Sequence, residues 1–437
     1  MTLGIVVSRA DSASVHVGDH LRDLGEWERI DEGDAFRAPG FELRYFDDWH
    51  LELDGVADAF DAAVDAVVFA SRHSGDTGPM LTAHFTGNFG RAEHGGADRS
   101  LAPACTRAAS AVLDALTDHA PDGYDVGMEC THHGPTDPGA PSMFVEVGSS
   151  EAEWDDPDAA RAAASAILAL GGVPARDDRA LVAFGGGHYA PRATRIARET
   201  DWAVGHVAAD WCLDDLGAPD ENRDVVDAVF AQSGATRAVV DGEKPALEAV
   251  IDDLGYRVVS ETWVREVDGV PLDRAAALEA ELAPVDDGLR FGDAASANET
   301  AREAFTVVDL PNALWADAHS VDPDAALAAA REHSLAYETT ENGNRVEGRA
   351  AFPDAAAYDA YVDALCDVLA EAYDRVERRD DTVLVEADAF DPALAAERGV
   401  PEGPKFGRLA NGDAVTVDGR EITPGDVTAR QRDTYNV

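Results

Sequence analysis

A series of short apolar runs, several of them leading straight into a turn rich in glycine, histidine or carboxylate, constrains this chain more than any other feature. Residues 3–7 (LGIVV), 66–70 (AVVFA), 124–130 (YDVGMEC), 141–150 (PSMFVEVGSS), 180–184 (ALVAF), 202–209 (WAVGHVAA), 236–242 (TRAVVDG) and 255–262 (GYRVVSET) read as strands. Between them lie helical patterns: 57–66 (ADAFDAAVDA), 104–120 and the Ala-rich 156–170, where Asp156 ahead of Pro157 predicts an N-cap. Residues 8–14 (SRADSAS) read as a loop leading into polar segments. Strands alternating with helices predict an α/β protein, a layered α/β/α domain with a largely parallel sheet. Ligands in such sheets gather at the carboxyl ends of the strands, so the polar turns predict a site on one rim.

Periodicity is lost over residues 284–302, which predicts a boundary between a domain over 1–285 and a C-terminal region over 300–437. The latter reads as α+β: helices over 322–336 and along 353–379, a strand over 381–388, and a turn-rich stretch with short β pieces over 401–427. Each part is long enough to bury a core of its own.

Charge sets the solvent. Eighty-five acidic residues against 35 basic ones give a net charge of −50, and Lys244 and Lys405 are the only lysines. With 45% apolar residues the chain still folds, so the composition matches a protein working in a molar-salt cytoplasm. There the Debye length falls to about 3 Å and self-repulsion is screened. No apolar run approaches the roughly 20 residues of a membrane span, and MTLGIVVSRADS is not expected to act as a secretory leader. Cys105, Cys130, Cys212 and Cys366 are scattered, which excludes a C-x-x-C zinc site and suits a reducing compartment. The lack of a basic patch argues against an electrostatic grip on DNA.

Seven histidines, His73, His84, His94, His132, His133, His188 and His206, stand in or near turns. Glu129-Cys130-Thr131-His132-His133-Gly134-Pro135 brings a carboxylate and two imidazoles to a strand end, a ligand set that zinc accepts. The plainer alternative is that these rings hydrogen-bond the backbone of their own turn. Phe184-Gly185-Gly186-Gly187-His188-Tyr189-Ala190-Pro191-Arg192 is neither a dinucleotide fingerprint nor a P-loop. Its glycines let a ligand approach the backbone, with His188 acting on the reacting group, Tyr189 stacking or donating, and Arg192 meeting a phosphate. A purely structural turn is the alternative. His84 and Asn88 mark a third polar turn. Glu146, inside an apolar strand, is either paired or metal-bound, or faces outward at an edge. Lys244 and Lys405 each invite a role in a chain that has shed lysine, unless they survive by chance.

Taken in order, HFTGNFG (84–90), MECTHHGP (128–135), PSMFVEVGSSEAEW (141–154) and FGGGHYAPR (184–192) resemble the archaeal and plant type of D-aminoacyl-tRNA deacylase over about residues 1–285. The chain departs from that pattern at Thr86, where proline is usual, and at residues 208–211, where a lysine is usual. The resemblance implies a fold similar to peptidyl-tRNA hydrolases and phosphorylases, and hydrolysis of the ester between a D-amino acid and the 3′ end of tRNA. It also implies zinc as cofactor, held among His84, Glu129, His132, His133 and His188. His188, His132 and Glu146 would then be catalytic, while Asn88, Gly185, Gly186, Gly187, Tyr189, Arg192 and Lys244 would bind substrate. The expected molecule is a cytoplasmic monomer with tRNA as its partner, its C-terminal region a further tRNA contact. A peptidyl-tRNA hydrolase-like enzyme and a non-catalytic tRNA- or nucleotide-binding module are the alternatives.

Overall fold

A computed structural model of the chain describes residues 2–30, 34–296 and 305–437. It divides into two compact units, Met1–Asp268 and Gly269–Val437. Part of the aperiodic stretch read as a boundary, 297–304, lies outside the described residues.

The first unit holds two main sheets. The larger contains β1 (Leu3–Ser8), β2 (Glu28–Arg29), β3 (Ala35–Ala38), β4 (Phe41–Phe46), β5 (Ala66–Arg72), β6 (Met80–His84), β9 (Asp125–Met128) and β10 (Ser142–Gly148); β7 (Gly87–Asn88) and β8 (Ser100–Leu101) form a separate ribbon. Its strand order is β2-β3-β4-β1-β5-β10-β6-β9. The central run β4-β1-β5-β10 is parallel, and β6 then pairs antiparallel to β10 with β9 parallel to β6. A second sheet, β11 (Ala180–Phe184), β12 (Ala203–Ala208), β13 (Arg237–Val240) and β14 (Arg257–Val258), is wholly parallel. The α/β class therefore holds, with the expected single sheet divided in two.

Successive strand residues point to opposite faces. On one face Val7 packs under Gly18 of the helix Ser12–Leu24, which packs in turn on the helix Pro157–Ala169. Asp11 caps the first helix and Asp156 the second, each accepting from a backbone N–H two residues on. On the other face Val6, Val67, Phe69 and Phe144 form a cluster with Val56 and Phe60. The helix read over 57–66 does not form there. One 3₁₀ turn, Val56–Ala59, follows Gly55 in the left-handed region, and Phe60 then inserts above Gly4, where a Cβ would lie 2.8 Å from its ring. Conversely, residues 12–24, read as loop and polar segments, are helical because Ala13, Val17 and Leu21 recur on the buried side.

The second unit is α+β. Leu289–Phe291, Ala336–Thr340, Arg345–Phe352 and Thr306–Asp309 pair in that order, all antiparallel. A three-stranded antiparallel sheet joins Arg375–Arg379, Thr382–Phe390 and Thr428–Asn436. The long helix read over 353–379 is Ala355–Leu369 followed by a separate strand, since the apolar face ends at Leu369 and the chain from Arg375 pairs with Thr382–Phe390. Among the described residues no helix is long and apolar enough to cross a membrane.

Candidate active site

The register of three adjacent strands builds the floor. Glu146 in β10 lies opposite Ser71 of β5 and Thr82 of β6, and Phe144 lies opposite both Phe69 and His84. By the period of two, Glu146, Thr82 and His84 share the face of the sheet that carries Phe69 and Phe144. The helices Ser12–Leu24 and Pro157–Ala169 pack on the opposite face. The site thus stands over the sheet where the parallel run meets the reversed pair β6-β9, and not on the expected rim. The direction of β6, which decides this, leaves no mark in its apolar pattern. Turns supply the rest: His73 follows β5, Glu129 to His133 follow β9, and His188 follows β11 of the second sheet.

Glu129 is the hub. Its Oε1 accepts from Thr82 Oγ1 and lies 3.2 Å from His73 Nδ1; its Oε2 lies 2.8 Å from His188 Nε2 and 3.9 Å from His132 Nε2. Burial alone would raise this carboxyl. Hydrogen bonds from His188 and His73, with the neighbouring His84 and His132 rings, outweigh it and hold Glu129 well below the ordinary range. Glu146 is buried in a central strand, 3.8 Å from His73 Nδ1 and 3.6 Å from His84 Nε2, so it has no outward-facing edge position.

Three imidazoles converge. The Nδ1–H groups of His84, His132 and His133 donate to the carbonyls of Phe85, Cys130 and Gly134 at 3.0, 2.8 and 2.7 Å. Each ring is thereby fixed with its Nε2 lone pair available. One donor atom from each of the three lies within 4.8 Å of the others, and His84 Nε2 is buried with no hydrogen-bond partner. Hydrogen bonding to the turn backbone and convergence of the three rings are therefore both present. Burial, reinforced by His132 and His84, keeps His133 well below the usual imidazole value and neutral, as a ligand must be. Burial also opposes charge on His84, but Glu146 and Glu129 outweigh it and raise that ring. An orphaned, buried nitrogen beside nitrogen, carboxylate and sulfur donors suits a metal ion.

Two residues of this cluster escape sequence reasoning. Cys130, set aside with the scattered cysteines, places Sγ 3.4 Å from His188 Nδ1 and converges with His132 and His188 in a second possible ligand group. The Cys212 thiol and the His132 and His188 rings pull the Cys130 thiol far below its usual value. Burial works against charge on His188, yet Cys130 and Glu129 push it up to about 10. His73 joins Glu129 and Glu146 in a third group, and its Nε2 lies 3.1 Å from the Tyr189 hydroxyl. The available signals were position: Cys130 lies inside the Glu129–His133 run, and His73 directly follows a buried strand.

The remaining expected residues lie around the cluster. Gly185 and Gly186 have φ of +92° and +80°; a Cβ at 185 would meet Asp241 O at 2.4 Å, whereas one at 187 meets nothing within 4 Å. Lys244 Nζ lies 2.6 Å from Asp210 Oδ1 beside this turn. Arg192 is bonded to Glu261 and to the Val240 carbonyl. Asn88 directs its amide to the carbonyls of Gly95 and Ala97, bracing the loop over the cleft. His206 is a core histidine held between Thr131 Oγ1 and Ala102 O. A cleft of about 660 Å³ opens on the cluster, lined by His73, His132, His133, Glu146 and His188 on one side and by Trp49, Leu51 and His94 on the other.

A family model described as D-aminoacyl-tRNA deacylase matches residues 60–259, which contain every member of the cluster. A D-aminoacyl-tRNA deacylase of Halobacterium salinarum is 58% identical over 429 residues, spanning 98% of this chain and 94% of that protein. The chain belongs to the D-aminoacyl-tRNA deacylase family. Family proteins of the same name from Natronomonas pharaonis and Methanoregula boonei are 50% and 36% identical, over 97% and 98% of this chain and 98% and 96% of their own lengths. These full-length matches take in the second unit as well. A solved structure titled a conserved protein of unknown function is 28% identical with a TM-score of 0.56, covering 60% of this chain and 96% of that one.

Proposed function

We propose that the histidine–glutamate cluster is where this chain, a D-aminoacyl-tRNA deacylase, hydrolyses the ester joining a D-amino acid to tRNA, and that zinc is its cofactor. The observation that carries the reading is the convergence of the three Nδ1-anchored imidazoles beside Glu129 and Glu146. His84, His132 and His133 would hold the ion, with Glu129 and Cys130 as further donors. Zinc bound there supplies Lewis-acid chemistry and lowers the pKa of a water toward neutrality.

The protein's own groups do the rest. An ester is already activated, so the main needs are a positioned nucleophile and a place for charge on the carbonyl oxygen. Glu146, buried on the cleft floor, is placed to take a proton from the attacking water. Glu129 orients His188 and His73 through its two oxygens. His188, at the end of the glycine turn, is placed to return a proton to the ribose oxygen as it leaves. The open space at Gly187 leaves room for the ribose. Selection of the D form would come from the shape of the cleft wall carrying Leu51 and His94, since the two enantiomers differ only in where the side chain points.

Two coarser expectations join this proposal. A hydrolase-like layering is supported by the parallel β4-β1-β5-β10 run and its helix-covered face. A tRNA contact by the second unit is supported by full-length matches to relatives of the same name. The deciding experiment compares D-tyrosyl-, L-tyrosyl- and N-acetyl-L-tyrosyl-tRNA in molar KCl, with and without a chelator. Chelator-sensitive release of the D form is expected; preference for N-blocked aminoacyl-tRNA, or indifference to the chelator, would reject the assignment.

A further inference from the structure

Among the described residues, the large apolar side chains that remain exposed are Trp49 and Trp211, at 37% and 43%. Trp49 belongs to the wall of the cleft, and Trp211 stands next to a residue of that wall, His188, with ring centroids 6.3 Å apart and planes within 20° of parallel. The chain buries Trp202, Trp263 and Trp315 almost completely, so two open indoles flanking one cleft call for an occupant. Trp49 is also extended: the Arg72 guanidinium lies 4.8 Å from its ring centroid and 4.6 Å from that of Trp154, sandwiched between them.

The charge of the chain narrows the choice. A protein of net charge −50 repels a polyanion, and molar salt further weakens any contact made through phosphates. Base stacking on aromatic rings and guanidinium planes does not depend on phosphate charge. We infer that Trp49, with Arg72, and Trp211 are two stacking platforms for the unpaired bases at the 3′ end of tRNA, positioning the ester over the cluster. This rests on the deacylase reading of the site and adds the means of holding the substrate.

The test uses the full chain in molar KCl with D-tyrosyl-tRNA and D-alanyl-tRNA. Trp49→Ala and Trp211→Ala are each expected to raise KM about tenfold, the size of one lost stack, for both substrates alike. Values of kcat should stay within about twofold, and Trp→Phe at either position should restore most of the loss. An unchanged KM in either alanine variant overturns the inference. So does a rise limited to D-tyrosyl-tRNA, which would place the indole against the amino-acid side chain. A second arm needs no turnover: the trinucleotide CCA should quench the tryptophan fluorescence of the parent and not that of the double alanine variant, and equal quenching of both overturns the inference. A parent that binds CCA but releases no D-amino acid would instead refute the deacylase reading.

Discussion

Nε2 of His188 lies 2.8 Å from Oε2 of Glu129, joining the turn after β11 of one sheet to the turn after β9 of the other. Glu129 also receives Thr82 and faces His73, so one buried carboxylate satisfies donors from three separate segments. Glu129→Gln keeps the volume but turns one acceptor into a donor facing imidazole N–H groups. The expected outcome is a fall in kcat of about 10²-fold or more, the range for a lost acid–base or orienting group, and a metal affinity lower by about 10–100-fold. Single-turnover deacylation and metal analysis of the purified variant check both.

Removal of the metal should abolish deacylation reversibly. Dialysis against a chelator in molar KCl is expected to release close to stoichiometric zinc, and added zinc should restore the rate. His84→Ala deletes one of the proposed ligands and leaves a void against Phe144, whose ring centroid lies 5.2 Å from that of His84. Zinc content and melting temperature should therefore fall together in that variant. In His188→Ala the loss should fall mainly on kcat, because His188 is the more exposed ring. Metal content and melting curves of the two variants side by side provide the check.

A buried acid outside the cluster makes the pH dependence testable. Asp11 is fully buried, and burial raises its carboxyl to about 6 against the opposing pull of Arg72 and of backbone N–H groups. An acid raised on folding penalises the native state as pH rises: no penalty below the unfolded value near 3.8, growth between about 4 and 6, and a plateau above. A shift of about two units corresponds to about 3 kcal/mol. Asp11→Asn keeps an acceptor for the Ala13 N–H that Asp11 caps. Its stability relative to the parent should rise by up to about 3 kcal/mol from pH 4 to pH 7. Denaturant melts of both proteins at fixed high salt cancel the contribution of the other 84 acidic residues.

Much of this architecture was legible in the strands, because apolar runs such as 3–7, 66–70 and 180–184 have nowhere to go but a sheet core. The helix at 12–24 was hidden by its polar outer face, and Phe60 outcompeted helix propensity at 57–66 by filling the space above Gly4. In the site, the Glu129–His133 and Gly185–His188 runs carried their own chemistry in consecutive residues. His73 did not, since a lone imidazole gains meaning only from neighbours distant in sequence, and Cys130, though inside the first of these runs, gains its part from His188 and Cys212 far along the chain. That the site sits on a sheet face follows from the reversed β6, and strand direction is a property of pairing that residue type does not encode.

The glycine turn separates structural need from ligand access, and two neighbouring substitutions should behave oppositely. At Gly185 a Cβ would sit 2.4 Å from Asp241 O and 2.6 Å from Lys244 Cε, on a backbone with φ of +92°. Gly185→Ala must therefore bear both strain and a clash with main chain, a loss of about 1–3 kcal/mol from the backbone conformation alone. Its melting temperature should drop and activity should fall with it. At Gly187 an added Cβ meets nothing within 4 Å, so Gly187→Ala should melt within a degree or two of the parent, as for a neutral surface change of about ±0.5 kcal/mol. If the space beside Gly187 receives the terminal ribose, that methyl group projects into the bound substrate, and KM for D-tyrosyl-tRNA should rise while zinc content stays constant. A Gly187→Ala enzyme with unchanged KM would move the ribose away from this turn; a Gly185→Ala enzyme as stable as the parent would show that the turn relaxes freely.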